Sequence, residues 1–270
     1  SGFIWIGTNG EGLYKFDGTD YTSYKYQIND STSLNSSLIH CAYLDHKNRL
    51  WVGTENGLNL YDRDLDKFRR IPLASKVGKD NSGFSAFTIY GDAEDNIFIG
   101  SFENGFFKLG ATDSIIRRVQ SKITDSKNIV NVNEIKVSDR GEIFAGTSLG
   151  LQEYDKETNK FELSYFNTHE GLVSFSHQVQ SILLLDDSTI WLGTVSKGVY
   201  VIEKGKTKEG DLDKLNHYAI TDKRILDMIP LSDGTILIGT ENDGLFHMDK
   251  DGALLNTYVF DKADKNSISS

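Results

Sequence analysis

Short apolar stretches separated by turn-forming residues recur along this chain. Leu50–Asp62, LWVGTENGLNLYD, is representative: an apolar run, a Gly-Thr pair, a turn with Asn56-Gly57, and a second run ending in Tyr-Asp. Runs of this length, bounded by Gly, Asn and Asp, predict paired strands. Five relatives are Ile4–Asp17, Ile97–Gly110, Ile143–Asp155, Ile190–Glu203 and Ile236–Asp249.

The repeats are evenly spaced. Each has one glycine after its first apolar run, which we call the anchor glycine, and successive anchors alternate between 46 and 47 residues apart. The anchors are Gly7, Gly53, Gly100, Gly146, Gly193 and Gly239. A period of this size predicts a propeller or another repeat array.

Each repeat predicts four strands. The second and third flank the Gly-Thr and the following Gly-Leu-like pair, and Asn-Gly at 56–57 and 104–105 suits the positive φ of a tight hairpin. First strands are expected at Leu38–Asp45, Phe84–Asp92, Val132–Asp139, His177–Asp186 and Arg224–Asp233. Fourth strands are expected at Tyr21–Tyr24, Phe68–Ile71, Ile115–Val119, Phe161–Tyr165, Leu215–Tyr218 and Leu254–Tyr258. Four meandering strands per repeat, with no helical stripe, predict β-propeller blades.

The two ends of the chain are in register with each other. Asp30–Ser36 precedes an expected first strand, and residues 264–270 align with it position for position. We therefore expect an all-β propeller of six repeats, five complete blades and one lacking its inner strand, within a seven-bladed or larger array. All of residues 1–270 are assigned to this one domain, excised from a longer array.

Composition excludes some partners. The net charge is −10, which argues against nucleic acid, because a phosphate backbone needs a basic face. No apolar run is long enough to span a bilayer, so we expect no membrane contact by this segment. The N-terminal residues do not resemble a signal peptide, and the lone Cys41 cannot form an internal disulfide.

The repeat consensus, I-W-I-G-T-x-x-G-L-x-x-Y-D followed by an F-x-x-Y-like strand and D-x-x-S-L-x-S, resembles the two-component regulator propeller repeat. The resemblance implies the periplasmic sensor region of a hybrid two-component regulator of the Bacteroidetes type, an inner-membrane protein that detects oligosaccharides. It also implies partners in the parent chain: neighbouring propellers, a β-sandwich domain and a histidine kinase. The third repeat departs with Phe107–Gly110, and the fifth with Val201–Glu203 and an insertion at 204–214.

The sequence matches known catalytic, phosphate-binding and metal-binding motifs only weakly. The glycine pairs flank hairpins and do not lead into a helix, as a phosphate loop would. Asp62, Asp64 and Asp66 alternate like calcium ligands but lack the glycine turn and the later bidentate acid. Asp186-Asp187 lies in a hairpin turn, where acids bond their own backbone. We expect no catalytic residue, no metal and no cofactor.

The better candidates for ligand contact lie in the parts that differ between repeats. Long fourth-to-first connections are expected at Lys25–Ser37, 72–83, 120–131 and Phe166–Ser176. An aromatic ring beside hydrogen-bonding groups suits a sugar. In or next to these connections lie His40, Phe84, His169, Phe175 and His177. The second-to-third hairpins add Glu55, Asn56, Glu103, Asn104, Glu241 and Asp243. The alternative is that all are solvated loop tips.

Three functions remain open from sequence. The favoured one is a non-enzymatic periplasmic sensor fragment that binds an oligosaccharide or relays its binding. The second is a protein–protein scaffold that forms a homodimer without a ligand of its own. The third is a propeller-type polysaccharide lyase.

Overall fold

The computed structural model describes residues 2–74, 83–123, 130–205 and 212–268. Throughout these ranges the regular structure is β, in 25 strands, and none of them contains a helix that could cross a bilayer. Parts of the connections expected at 72–83 and 120–131, and of the insertion at 204–214, lie outside the described residues.

The chain forms two compact units. The first comprises 1–137 with 155–161, and the second comprises 138–154 with 162–270. The assignment of one domain to the whole chain stays a prediction.

The first unit contains the strands of the first three repeats in chain order, and consecutive strands within each of these repeats pair antiparallel. The first repeat gives β1 Ile4–Gly7, β2 Leu13–Phe16 and β3 Tyr21–Tyr24. The second gives β4 Ile39–Leu44, β5 Leu50–Thr54, β6 Gly57–Asp62 and β7 Lys67–Arg70. The third gives β8 Thr88–Gly91, β9 Ile97–Ser101, β10 Gly105–Leu109 and β11 Arg117–Ser121, and β12 Val132–Val137 follows.

The second unit continues the pattern. The fourth repeat adds β13 Ile143–Thr147, β14 Gly150–Asp155 and β15 Lys160–Leu163, whose first two residues belong to the first unit. A hairpin follows, β16 Tyr165–Thr168 and β17 Gly171–Ser174. The fifth repeat gives β18 Val179–Leu184, β19 Thr189–Thr194, β20 Val199–Glu203 and β21 Lys214–Tyr218. The sixth gives β22 Ile225–Pro230, β23 Ile236–Thr240, β24 Leu245–Met248 and β25 Leu254–Tyr258.

This architecture confirms the prediction of an all-β propeller fold built from four-stranded antiparallel blades. The first repeat forms a three-stranded sheet, as its missing inner strand predicts.

The long connection expected at Phe166–Ser176 lies between β15 and β18, and most of it forms the hairpin β16–β17. Two other local expectations were wrong. The strand expected from Phe84 begins at Thr88, since Ala86 N–H bonds Thr54 O before the β8 ladder starts. The third blade is also not a separate sheet: β11 pairs in parallel with β15 through Gln120↔Lys160 and Ser121↔Phe161.

The repeated Gly-Thr and second glycine close the hairpin between the second and third strands. The Thr54 hydroxyl donates to Gly57 O at 3.2 Å, and Thr147 bonds Gly150 O in the same way at 2.8 Å. Gly57 has φ +118°, a conformation that other residues rarely adopt. The structural interpretation of these pairs therefore has a specific hydrogen bond behind it.

The core lies between neighbouring sheets within each unit. In the first unit, Trp51 and Ile99 belong to one buried cluster contributed by the second and third repeats. In the second unit, Trp191 and Ile238 belong to a cluster from the fifth and sixth repeats. In the second to fifth repeats the large side chain two residues before the anchor glycine is buried, as its recurrence predicts, whereas Trp5 and Leu237 are half-buried.

Candidate functional site

In the first unit, His40 and Glu55 connect through the ring of Phe87 to the exposed ring of Phe102, and Glu103 and Asn104 follow Phe102 in its hairpin. We call His40, Glu55, Phe87, Phe102, Glu103 and Asn104 the Phe102 surface. His40 lies in β4, and Glu55 is the first residue of the β5–β6 hairpin. His40 Nε2 is 2.8 Å from Glu55 Oε2, and the His40 ring is 5.2 Å from the ring of Phe87.

The third repeat completes this surface. The Phe87 and Phe102 rings are 6.3 Å apart, and Phe102, in the β9–β10 hairpin, is 48% exposed. Glu103 and Asn104 follow it in sequence. Glu103 has φ +66°, and its N–H bonds Asn131 Oδ1 at 2.9 Å, which holds the hairpin tip in place. The surface combines a solvent-facing aromatic ring with carboxylate, amide and imidazole groups.

Sequence reasoning missed both phenylalanines of this surface. Phe102 stands where the other five repeats have Asn, Glu, Ser or Val after the Gly-Thr. An aromatic residue at this mostly polar position was the sequence signal that could have identified it. Phe87 was assigned to a strand interior. The positive φ expected in the Asn104-Gly105 turn is found at Gly105, with φ +75°, and Glu103 adopts it as well.

A second group of rings lies in the second unit. We call Phe175, His177, Tyr200 and His217 the histidine–tyrosine stack. Tyr200 stacks on His217 at 4.2 Å and on His177 at 5.4 Å, while Phe175 meets Tyr200 edge-on at 4.9 Å. Burial raises the pKa of Tyr200, and His217 Nε2 is 2.6 Å from Lys197 O. Tyr200 and His217 had no distinguishing sequence signal, since they lie at ordinary strand positions.

Two predicted aromatic contacts are corrected. The rings of Phe84 and Phe175 are each 3% exposed, so neither offers a face to a ligand. Phe84 stacks on Phe107 at 4.3 Å within the core of the first unit. Both residues hold neighbouring segments in place.

The other predicted residues are dispersed. Asn56 is tied to Asn35, whose Nδ2 donates to Asn56 O at 2.8 Å. His169 lies exposed at the tip of the β16–β17 hairpin. Glu241 and Asp243 lie in the β23–β24 hairpin, where the Thr221 hydroxyl bonds Asp243.

The acidic turn at 62–66 is part of the structure. Asp62 Oδ1 accepts the N–H groups of Asp64 and Leu65, each at 3.1 Å. Asp66 is not simply solvated, because it receives Lys15 Nζ at 2.9 Å and the Tyr24 hydroxyl at 2.6 Å. Burial alone would raise the pKa of Asp66, but these bonds and one from Tyr61 outweigh it and lower it to about 2. Within the described ranges, no three His, Cys, Asp or Glu side chains are grouped to hold a metal.

Comparison with known proteins first gives the class of domain. Over 97% or more of its length, the chain resembles solved propeller-containing structures. With the extracellular domain of a putative hybrid two component system from B. thetaiotaomicron, it shares a TM-score of 0.70 and 21% identity, covering 99% of this chain and 33% of that one. With a streptogramin B lyase it shares a TM-score of 0.66 and 13% identity, covering 97% of this chain and 80% of that one. At these identities the likeness establishes the fold.

The particular repeat is then identified by sequence. The profile of the two component regulator propeller family matches residues 33–56, which include the D-x-x-S-L-x-S end, β4 and β5. Histidine kinase P4 of Formosa agariphila is 28% identical over 198 residues, which are 70% of this chain and 14% of that kinase. The match over residues 33–56 confirms the resemblance of the repeats to the two-component regulator propeller repeat. The chain spans a small part of the length of that kinase.

Proposed function

We propose that this segment is the ligand-sensing propeller of a periplasmic sensor in a hybrid two-component system. In this proposal it contacts an oligosaccharide through the Phe102 surface and passes the signal to a kinase outside these residues. The propeller class supports a sensor, and the extracellular setting of the related B. thetaiotaomicron domain supports a location outside the cytoplasm.

The observation that carries the proposal is the exposed Phe102 ring beside hydrogen-bonding groups. A sugar ring has an apolar C–H face that packs on an aromatic ring, and hydroxyls that need donors and acceptors. His40, paired with Glu55, lies against the ring of Phe87, and Glu103 and Asn104 follow Phe102 in the β9–β10 hairpin. His40 lies in the paired strand β4, and Glu55, Glu103 and Asn104 lie in short turns between paired strands, so binding orders few additional residues.

The negative charge of this surface limits the kind of oligosaccharide that can bind. Glu55 and Glu103 are both exposed, and the chain has a net charge of −10. A neutral or cationic oligosaccharide fits this surface, whereas a heavily sulfated one is repelled.

Titration calorimetry of the chain against neutral, aminated and sulfated oligosaccharides tests the proposal. We expect heat with a neutral or cationic sugar and none with sulfated ones. No heat with any sugar, together with a dimer in light scattering, would favour the homodimer scaffold instead. Incubation with the same panel and analysis for cleaved products tests the expectation that the segment is not an enzyme, and any product overturns it.

A further inference from the structure

The hairpin β16–β17 has one open edge, in the interior of the sequence. Its first strand, β16, is held on its outer side by Asp213. Asn167 N–H donates to Asp213 Oδ2, and Asp213 N–H donates to Asn167 O, both at 2.8 Å. The second strand, β17, pairs with β16 alone among the described strands. The open edge of the hairpin therefore belongs to β17.

The bonds to Asp213 also show which backbone groups of β17 are open. Opposite residues in an antiparallel pair alternate between those that bond each other and those whose backbone groups point away. Both backbone groups of Asn167 bond Asp213, so Asn167 and its partner Leu172 are of the second kind. Tyr165 and Ser174, the next pair but one, are of the same kind. The N–H and C=O groups of Leu172 and Ser174 therefore point out of the open edge, and they have no hydrogen-bond partner in the described part of the chain.

The hairpin is anchored by one face and exposed on the other. Phe166 of β16 is 3% exposed and belongs to a buried cluster of the second unit. On the opposite face Tyr165 is 57% and Leu172 is 69% exposed. Ser174, which stands opposite Tyr165, is also exposed and is small. An exposed apolar face and an open edge thus occur together on a hairpin that is fixed to the core.

Nothing in β17 protects its edge against pairing. Natural sheet edges usually carry a lysine, a proline or a bulge that prevents association with another chain. Residues Gly171–Ser174 read GLVS, and their register with β16 is continuous. From Leu163 to Leu185 the one charged residue is Glu170, although 25% of the whole chain is charged. The edge therefore lies in a stretch that is poor in charge.

This low charge indicates which partner fits the edge. With a net charge of −10, two copies of the chain repel each other over most of their surface. The repulsion is weakest where the charged residues are fewest, which is at this hairpin. A strongly basic or acidic partner would find only Glu170 for charge recognition here. The observations favour a second copy of the chain.

We propose that two copies of the chain pair through β17, antiparallel about a two-fold axis, so that their hairpins form one continuous sheet. Strand addition of this kind satisfies the backbone groups of an open edge, and the two-fold axis makes the contact self-complementary. Leu172 of each copy faces Ser174 of the other, and each such pair exchanges both of its backbone hydrogen bonds. Val173 lies at the axis. The small Ser174 side chain allows Tyr165 of one copy to pack on Leu172 of the other.

Sedimentation equilibrium of the chain over a concentration series tests this inference. We expect a monomer–dimer equilibrium in the parent. Leu172→Glu should weaken the dimer at least about tenfold, because it removes the apolar contact and adds like charges to the shared sheet. Leu65→Glu is the matched control, since Leu65 is 67% exposed, and it should leave the dimer unchanged. A parent that is monomeric at every concentration, or an undiminished dimer in Leu172→Glu, would overturn the proposal.

Cross-linking tests the register separately, in a Cys41→Ser background. In the proposed pairing the α-carbons of Leu172 and of Ser174 in the second copy lie about 5.5 Å apart, which suits a disulfide. A mixture of Leu172→Cys and Ser174→Cys chains, oxidised in air, should form a covalent dimer. Either variant alone should not, because identical positions lie further apart. Equal yields from the mixture and from either variant alone, or no covalent dimer, would overturn this register.

These results do not depend on the sugar proposal. The hairpin β16–β17 belongs to the second unit, and the Phe102 surface belongs to the first. Calorimetry of Leu172→Glu with a sugar that binds the parent should therefore show unchanged affinity per chain. A loss of dimer without a loss of sugar binding supports the proposal, whereas loss of both together would show that the variant disturbs more than this edge and would overturn the assignment of the dimer contact to it.

Discussion

Gly100 and Val132 touch across two neighbouring repeats: a β-carbon added to Gly100 would lie 2.4 Å from Cγ1 of Val132. Gly193 and Ile225 repeat the contact, with 2.5 Å to Ile225 Cγ2. At Gly239, in the sixth repeat, the nearest atom to an added β-carbon is 3.8 Å away. The anchor glycine recurs because the next inner strand packs directly on it.

Gly100→Ala should therefore destabilise the chain, and Gly239→Ala should not. Overpacking of a well-packed core costs about 1–3 kcal/mol, whereas a substitution that meets no neighbour stays within about 0.5 kcal/mol. Urea unfolding of the two variants and the parent measures the difference. Equal losses of stability at the two positions would show that close packing does not explain why the anchor glycine recurs.

Trp51 and Trp191 occupy equivalent positions in two repeats and allow a second comparison of matched variants. Both rings are buried, but Trp51 Nε1 bonds the Asp45 carboxylate and Trp191 Nε1 has no partner among the described residues. Trp51→Phe should cost about 1.5–3 kcal/mol more than Trp191→Phe, since it removes a hydrogen bond to a charged group. Urea unfolding of the two variants measures this difference in the free energy of unfolding. A smaller loss of stability for Trp51→Phe than for Trp191→Phe would contradict the role of Asp45.

The lowered pKa of Asp66 predicts that the stability of the folded chain depends on pH. Its pKa is lowered to about 2 in the folded chain, from an ordinary value of 3.8. Its contribution is therefore fully present above about pH 4 and disappears as the pH falls through 2. The side chain is 50% exposed, so we expect Asp66→Asn to cost about 0.2–1 kcal/mol at pH 7.

Unfolding of Asp66→Asn and the parent at pH 7, 4 and 2.5 tests this. The difference in the free energy of unfolding between the parent and Asp66→Asn should shrink as the pH falls. A constant difference would mean that the Asp66 charge does not act through Lys15.

The fold could be predicted because its signals repeat. Gly53 and Trp51 have counterparts at every period, so six copies identify a blade where a single copy would be ambiguous. Tyr21–Tyr24 and Leu254–Tyr258 were predicted with the observed bounds for the same reason. The hairpin β16–β17 occurs in one repeat and had no counterpart to reveal it.

The candidate site could be predicted in part. Repeat register separated His40 and Glu55 from the blade core, and the structure pairs them at 2.8 Å. Repeat register could not show that Phe84 turns into the core while Phe87, three residues later, lies against His40. Such assignments depend on which side of an irregular segment faces the neighbouring sheet, and hydrophobic pattern does not encode that.

The most direct test of the account compares two exposed phenylalanines by calorimetry, using a sugar that gives heat with the parent chain. Phe102 and Phe260 are 48% and 53% exposed, and Phe260 is not part of the Phe102 surface. Phe102→Ala should weaken binding at least about tenfold, while Phe260→Ala leaves it unchanged. Equal affinity of Phe102→Ala and the parent would contradict the assignment of ligand recognition to this surface.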